Sequence, residues 1–333
     1  MSLAFVNSHD SSEQKLHDHV LLAHSDAVWG IAYTEAETVF SISADGSIKH
    51  WTSASGQPVS PNSAFPPPHT LGLVSLSASR DGQKVLYNSI EGLVSLWDVA
   101  QNKIVARFES YVRKTENPEP SWSVSLNPKS ETYASTGGSG NLVLHSAKAE
   151  NFGERLATLS PGTRQKFGMH CSHSPDGKRV ALATESGQIF IFDVESNTLA
   201  TSFHSHAMSV RSVAWSYDSS ILMSASEDKH VVLHDVRGQA GGFVTSFSGH
   251  SSWVLSVDIS PDGRLALSGS ADKTVKVWDI GARAAVSTIP DTGEVWAVAW
   301  RPKPAPVGSP GSFVTGGEDG TVRWWRGAGA GVV

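Results

Sequence analysis

The sequence predicts an all-β fold, a single seven-bladed β-propeller spanning residues 1–333. Three observations predict it. Short alternating apolar runs are divided by turn chemistry; four such runs make a unit opened by Gly-His and closed by Trp-Asp; and seven units fill the chain. The clearest unit opens at Gly249-His250 and contains the runs Trp253–Ile259, Leu265–Ser270, Thr274–Trp278 and Ala284–Ile289. Ser260-Pro261-Asp262-Gly263 divides the first two. Proline presets φ at one corner of that turn and glycine accepts positive φ at another. One such sheet cannot bury both of its faces alone, so it needs neighbours.

In chain order, the residues equivalent to Trp278 are Trp51, Trp97, His145, Phe192, His234, Trp278 and Trp325. They lie 46, 48, 47, 42, 44 and 47 residues apart, a propeller period. Tight turns precede most of them, as at Asp45-Gly46, Glu91-Gly92, Ser139-Gly140, Ser186-Gly187 and Asp319-Gly320. Ahead of the first unit, Leu16–Leu22 is strand-like. It is expected to supply the outer strand of the last blade, so that the chain ends close the ring and remove an open edge. Gln57–Pro68, Glu109–Pro120 and Arg301–Gly311 break the rhythm and are rich in proline or polar residues. They read as tolerated surface insertions that can also widen a binding rim.

Composition narrows the function. With 39% hydrophobic and 17% charged residues, the chain can build a large core. A net charge of −6 offers no basic field, so no direct nucleic-acid partner is expected. The single cysteine, Cys171, excludes an internal disulfide framework and fits a reducing compartment. The first fifteen residues have neither a cationic nor an apolar leader segment, and no run approaches the ~20 apolar residues of a membrane span. No signal peptide and no membrane association are expected.

Ser/His/Asp sets recur in the repeat. His250, Ser268, Asp272 and Trp278 return as His206, Ser224, Asp228 and His234, and as His24, Ser41, Asp45 and Trp51. A catalytic constellation is singular, whereas this one comes back with each unit. It is therefore expected to be a structural chain: Asp accepts from His, His bonds the Ser hydroxyl, and Ser reaches the Trp indole. His69 with Glu91 would be a weakened version; Asn117 and Arg164 replace the histidine in units three and four. Gly137-Gly138-Ser139-Gly140 falls where a β-turn is expected, not a phosphate loop. His17-Asp18-His19 suits solvent better than a metal, and Cys171 suits packing better than nucleophilic work. No catalytic residue, cofactor or metal is expected.

Binding remains. Register makes Trp29, Val74, Trp122, Met169, Arg211, Leu255 and Trp296 equivalent at the entrance to each innermost strand. Two residues earlier stand Ala27, Gly72, Pro120, Phe167, Ser209, Trp253 and Glu294. Trp and Arg dominate interface hot spots. Core packing between blades is the alternative for Trp29, Trp122 and Trp296. Trp253 precedes the regular strand, and Arg211 should not be buried unpaired. Glu185, Glu227 and Glu318 would ring the same rim with acid. The expected site is a partly apolar, partly acidic socket for a short peptide with aromatic and basic residues.

The whole chain resembles a WD-repeat protein. Residues 23–33 (AHSDAVWGIAY), 206–219 (HAMSVRSVAWSYDS), 248–263 (SGHSSWVLSVDISPDG) and 270–283 (SADKTVKVWDIGAR) resemble the WD-repeat subunits of the Superkiller (Ski) complex, related to animal WD repeat-containing protein 61. The resemblance implies a non-catalytic, monomeric propeller within a hetero-complex, both cytoplasmic and nuclear. Its implied partners are a tetratricopeptide-repeat scaffold and a DExH-type RNA helicase that feed the exosome for 3′-to-5′ mRNA decay. In fungal relatives a topoisomerase-like meiotic recombination protein is a further partner; animal relatives also sit in the Paf transcription complex. Two other classes stay open: a different adaptor, such as a ubiquitin-ligase substrate receptor, for which Asp235-Val236-Arg237 is a partial docking motif, and a propeller enzyme with groups converging on the axis.

Overall fold

The computed structural model describes residues 3–7, 23–54, 56–59, 66–110, 121–129, 131–162, 167–238, 242–303 and 311–327. They form seven antiparallel sheets, and the seven innermost strands pack against one another in a closed cycle. This is the seven-bladed all-β propeller that the period requires. Each blade follows the same path outward. In blade six the strands are Val254–Ile259, Leu265–Ser270, Thr274–Asp279 and Ala284–Pro290, within a residue or so of the runs read from sequence.

The turn chemistry acts as its residues dictate. Ser260 Oγ donates to Asp262 Oδ1 at 2.5 Å and accepts from Leu265 N at 2.9 Å, while Gly263 takes φ +69°. Blade four repeats the device at Ser174, Asp176 and Gly177. Gly137–Gly140 is likewise a turn, closed by Gly140 N to Gly137 O at 3.0 Å, with Gly140 at φ +68°.

The core lies between the blades. Seven apolar clusters are formed by the described residues, each joining two neighbouring sheets. Side chains such as Phe40, Phe190, Leu142 and Trp278 are fully buried there, each contributing roughly 1.5–3 kcal/mol by leaving water. The innermost strands have a free edge whose N–H groups need partners. Neighbouring side chains supply several of them. Ser75 and Ser77 accept from Val124 N and Leu126 N, Ser123 and Ser125 from Cys171 N and His173 N, and Ser256 and Asp258 from Val298 N and Trp300 N, at 2.7–3.2 Å.

One expectation needs correction. Ring closure does come from the N-terminus, but through Phe5–Asn7, which pairs antiparallel with Val322–Gly327. Leu16–Leu22 lies outside the described residues. Phe5 packs against Phe313 and Trp300, with ring centroids at 5.1 and 6.4 Å, and Leu3 N reaches Val286 O in blade six. Blade one, in turn, has three strands among the described residues: Val28–Tyr33, Thr38–Ser43 and Ile48–Thr52. The proline-rich segment starts where a fourth strand belongs, and among the described residues a single bridge, Trp51 to Pro58, pairs its start with the third strand. Proline cannot donate to a ladder.

Candidate functional site

The repeated polar chain is assembled in three blades. A carboxylate only accepts, so His24 Nδ1 carries the hydrogen, shared between Ser47 Oγ (2.9 Å) and Asp45 (3.3 Å), and Nε2 then accepts from the Ser41 hydroxyl (2.8 Å). Trp51 Nε1 donates to the same Ser41 oxygen at 2.9 Å. His250, Asp272, Ser268 and Trp278 repeat this at 2.7–2.8 Å. His206, Asp228 and Ser224 do so at 2.7–2.8 Å, and His234 takes the tryptophan's place at 3.1 Å. Each carboxylate also accepts a main-chain N–H from the loop entering its blade: Ser25, Ala207 or Ser251. That loop is thereby fixed above the turn between the second and third strands.

Charge follows from burial and bonding. Burial pushes the Asp228 carboxyl up, but bonds from His206 and from main-chain N–H groups outweigh it and hold it at about 2. Asp45 and Asp272 are lowered in the same way. Burial lowers His24 and His250 in spite of their aspartates, and takes His234 down to about 3. Ser41, Ser224 and Ser268 are completely buried. A hydroxyl that no substrate can reach cannot be a nucleophile, so these sets are structural chemistry.

The other blades vary the chain. In blade two the serine's place is taken by Tyr87, and His69 packs edge-on against its ring at 5.7 Å instead of bonding Glu91. Blade three keeps the inner half: His145 bonds Ser135 at 3.0 Å. Blade seven keeps Trp325 to Thr315 at 3.0 Å and replaces the histidine by Arg323, which binds Asp291 and Asp319. Sequence reasoning missed Arg323; its four-residue spacing from Asp319 is the signal available. Asn117, Arg164 and His17-Asp18-His19 lie outside the described residues.

The rim has a local backbone cause. In every blade the ladder between the first two strands slips at the strand entrance, and the extra residues are Trp29, Val74, Trp122, Met169, Arg211, Leu255 and Trp296. A bulge bends the strand and re-aims a side chain. Six of the seven bulged residues line an axial cavity of about 430 Å³. Trp29 stacks on Trp296 at 6.2 Å, and Trp122 meets Phe167 edge-on at 5.8 Å. These aromatics are half-buried, neither sealed in the core nor free.

The seventh bulged residue, Arg211, turns aside. Its Nε donates to Glu227 Oε1 at 2.7 Å, and its guanidinium lies 5.9 Å from the Trp253 ring centroid. Trp253 is 45% exposed. Glu185 and Glu318 are exposed on the same rim, whereas Glu227 is half-buried and engaged by Arg211. Exposed Leu71, Ile90 and Met208 belong to this rim too; they escaped sequence reasoning because irregular loops carry no periodicity.

At the opposite mouth, turns from four blades meet. Tyr217 OH donates to Glu35 Oε1 at 2.8 Å, and Arg80 lies 4.8 Å over the Tyr217 ring while donating to Pro175 O. Burial pushes the Cys171 thiol up to about 12, so it stays a packed thiol. Arg237 is turned back onto Asp235. No group of metal-binding side chains occurs among the described residues, and no described helix is long and apolar enough to cross a membrane.

Known proteins share this pattern. The family described as WD domain, G-beta repeat matches residues 16–52, 197–235, 241–279 and 285–326. Meiotic recombination protein rec14 of Schizosaccharomyces pombe is 37% identical over 88% of this chain and 91% of its own length. WD repeat-containing protein VIP3 of Arabidopsis thaliana is 33% identical over 58% of this chain and 62% of its own length. WD repeat-containing protein SL1-17 of Schistosoma mansoni is 27% identical over 51% of this chain and 52% of its own length. The recurring His–Ser–Asp chain, the seven sheets and the near full-length likeness to rec14 agree: the chain belongs to the WD-repeat family that includes Meiotic recombination protein rec14.

Proposed function

We propose that this WD-repeat scaffold captures a short partner segment bearing aromatic and basic residues on the rim around Trp29, Trp122, Phe167, Met169, Arg211, Glu227, Trp253 and Trp296. One observation carries the reading. Six of the seven bulges at equivalent positions deliver apolar or aromatic side chains to the axial cavity, and exposed Glu185 and Glu318 flank it. Half-buried aromatics offer contact area at low entropic cost, and carboxylates beside them favour a basic neighbour. No chemistry is assigned to the site.

The partners in this reading are the tetratricopeptide-repeat scaffold and the DExH-type RNA helicase of the Superkiller (Ski) complex, supporting 3′-to-5′ mRNA decay with the exosome. A topoisomerase-like meiotic recombination protein is the further partner in this reading; the name of the S. pombe relative, Meiotic recombination protein rec14, supports the meiotic setting. Both roles together would have the protein act in cytoplasm and nucleus. The test is affinity purification of the tagged full chain. The wild type should recover the helicase and the tetratricopeptide-repeat protein, and the double variant Trp253→Ala with Arg211→Ala should lose both while folding normally. Equal recovery by the variant would reject the rim. Recovery of a ubiquitin ligase or a transcription complex instead would reject the named partners.

A further inference from the structure

Resting on that docking role, we propose that the rim quadrant of blades five and six seats a carboxylate next to a large apolar side chain, with Arg211 as the specificity-determining residue. The other six bulged positions carry apolar or aromatic residues; this one carries a guanidinium. Its Nε is committed to Glu227 Oε1 at 2.7 Å. Among the described residues Nη1 and Nη2 have no partner, and the side chain is 26% exposed. Such a pair of parallel N–H donors fits a carboxylate in two-point fashion. Trp253 lies under the guanidinium and Glu227 holds its edge, so the fork is oriented before a ligand arrives. Exposed Trp253 and Met208 beside it provide the apolar seat.

The pairing also changes the rim's polarity. Glu227 is neutralised within its own blade and offers a basic residue little. Glu185 in blade four and Glu318 in blade seven remain exposed. A docked segment should therefore lie in one direction, with its acidic residue over blades five and six and basic residues toward the flanking glutamates.

The experiment is selection of a displayed library of random twelve-residue peptides on the immobilised full chain. Wild-type protein should enrich peptides with Asp or Glu within two residues of an aromatic or large aliphatic residue. Those peptides should bind Arg211→Gln about tenfold more weakly, the effect of one charge-assisted contact, and should not bind Trp253→Ala. Arg211→Lys, which keeps the charge but not the fork, should fall between and carries the test if the glutamine variant unfolds. Enriched peptides that need Trp253 but show no acidic bias and bind the Arg211 variants normally would overturn the assignment and leave the rim standing. Peptides that depend on Trp29 or Trp122 but not on Trp253 would also overturn it. A selection yielding no peptide dependent on any of these tryptophans would overturn the rim together with it.

Discussion

At the scale of single residues, buried polar groups decide both stability and its pH dependence. Ser268 accepts from Trp278 and donates to His250, so Ser268→Ala strands two buried groups at once. A loss of about 2 kcal/mol in denaturant unfolding is expected, with partner capture unchanged. Loss of capture by the folded variant would make the chain more than structural. Burial holds His50, His145, His170 and His173 near 4 and His234 near 3. The unfolded chain, with histidines near 6.5, takes up protons first as pH falls. The stability due to neutral burial is therefore complete above about pH 6.5 and is lost toward pH 4. Asp258 works the other way: burial raises it to about 6, so its contribution is present below its usual value and lost as pH rises through 6. Five histidines outweigh one aspartate, and thermal midpoints should fall steadily from pH 7 to 4.5. Asp258→Asn should steepen that fall; a flat profile would contradict the assignment.

At the scale of elements, local chemistry explains what could be read in advance. The Ser-Pro-Asp-Gly turn at 260–263 and the alternating runs around it fixed blade six nearly to the residue, because each turn residue has its own mechanism. Register likewise placed Trp29, Arg211 and Trp296 in one set before any bulge was visible. The closing strand was not legible. Phe5–Asn7 is three residues long, and its pairing is decided by rings from far along the chain, Trp300 and Phe313, whereas Leu16–Leu22 has the stronger strand-like run. Nor could sequence show that Glu227 is already engaged, since that depends on Arg211 being brought beside it by the fold. Removing residues 1–7 should lower the unfolding midpoint markedly, and Phe5→Ala alone should cost about 2 kcal/mol. A truncated chain with an unchanged midpoint would mean that the ring closes by other means.

At the scale of the whole molecule, a closed cycle of sheets buries its apolar surface between blades and leaves two unlike mouths. One is crossed by the Tyr217–Glu35 and Arg80–Pro175 contacts. The other is ringed by aromatics, with exposed Glu185 and Glu318 and the Arg211 guanidinium beside Trp253. The docking account assigns partner capture to this second mouth. The most direct test is amide hydrogen exchange of the full chain with and without a captured partner. Protection should appear in the loops and strand entrances around residues 27–30, 72–75, 167–170, 208–212 and 251–256. Protection confined to the turns around Glu35, Arg80 and Tyr217, or to the outer strands around Leu199 and Phe243, would contradict it.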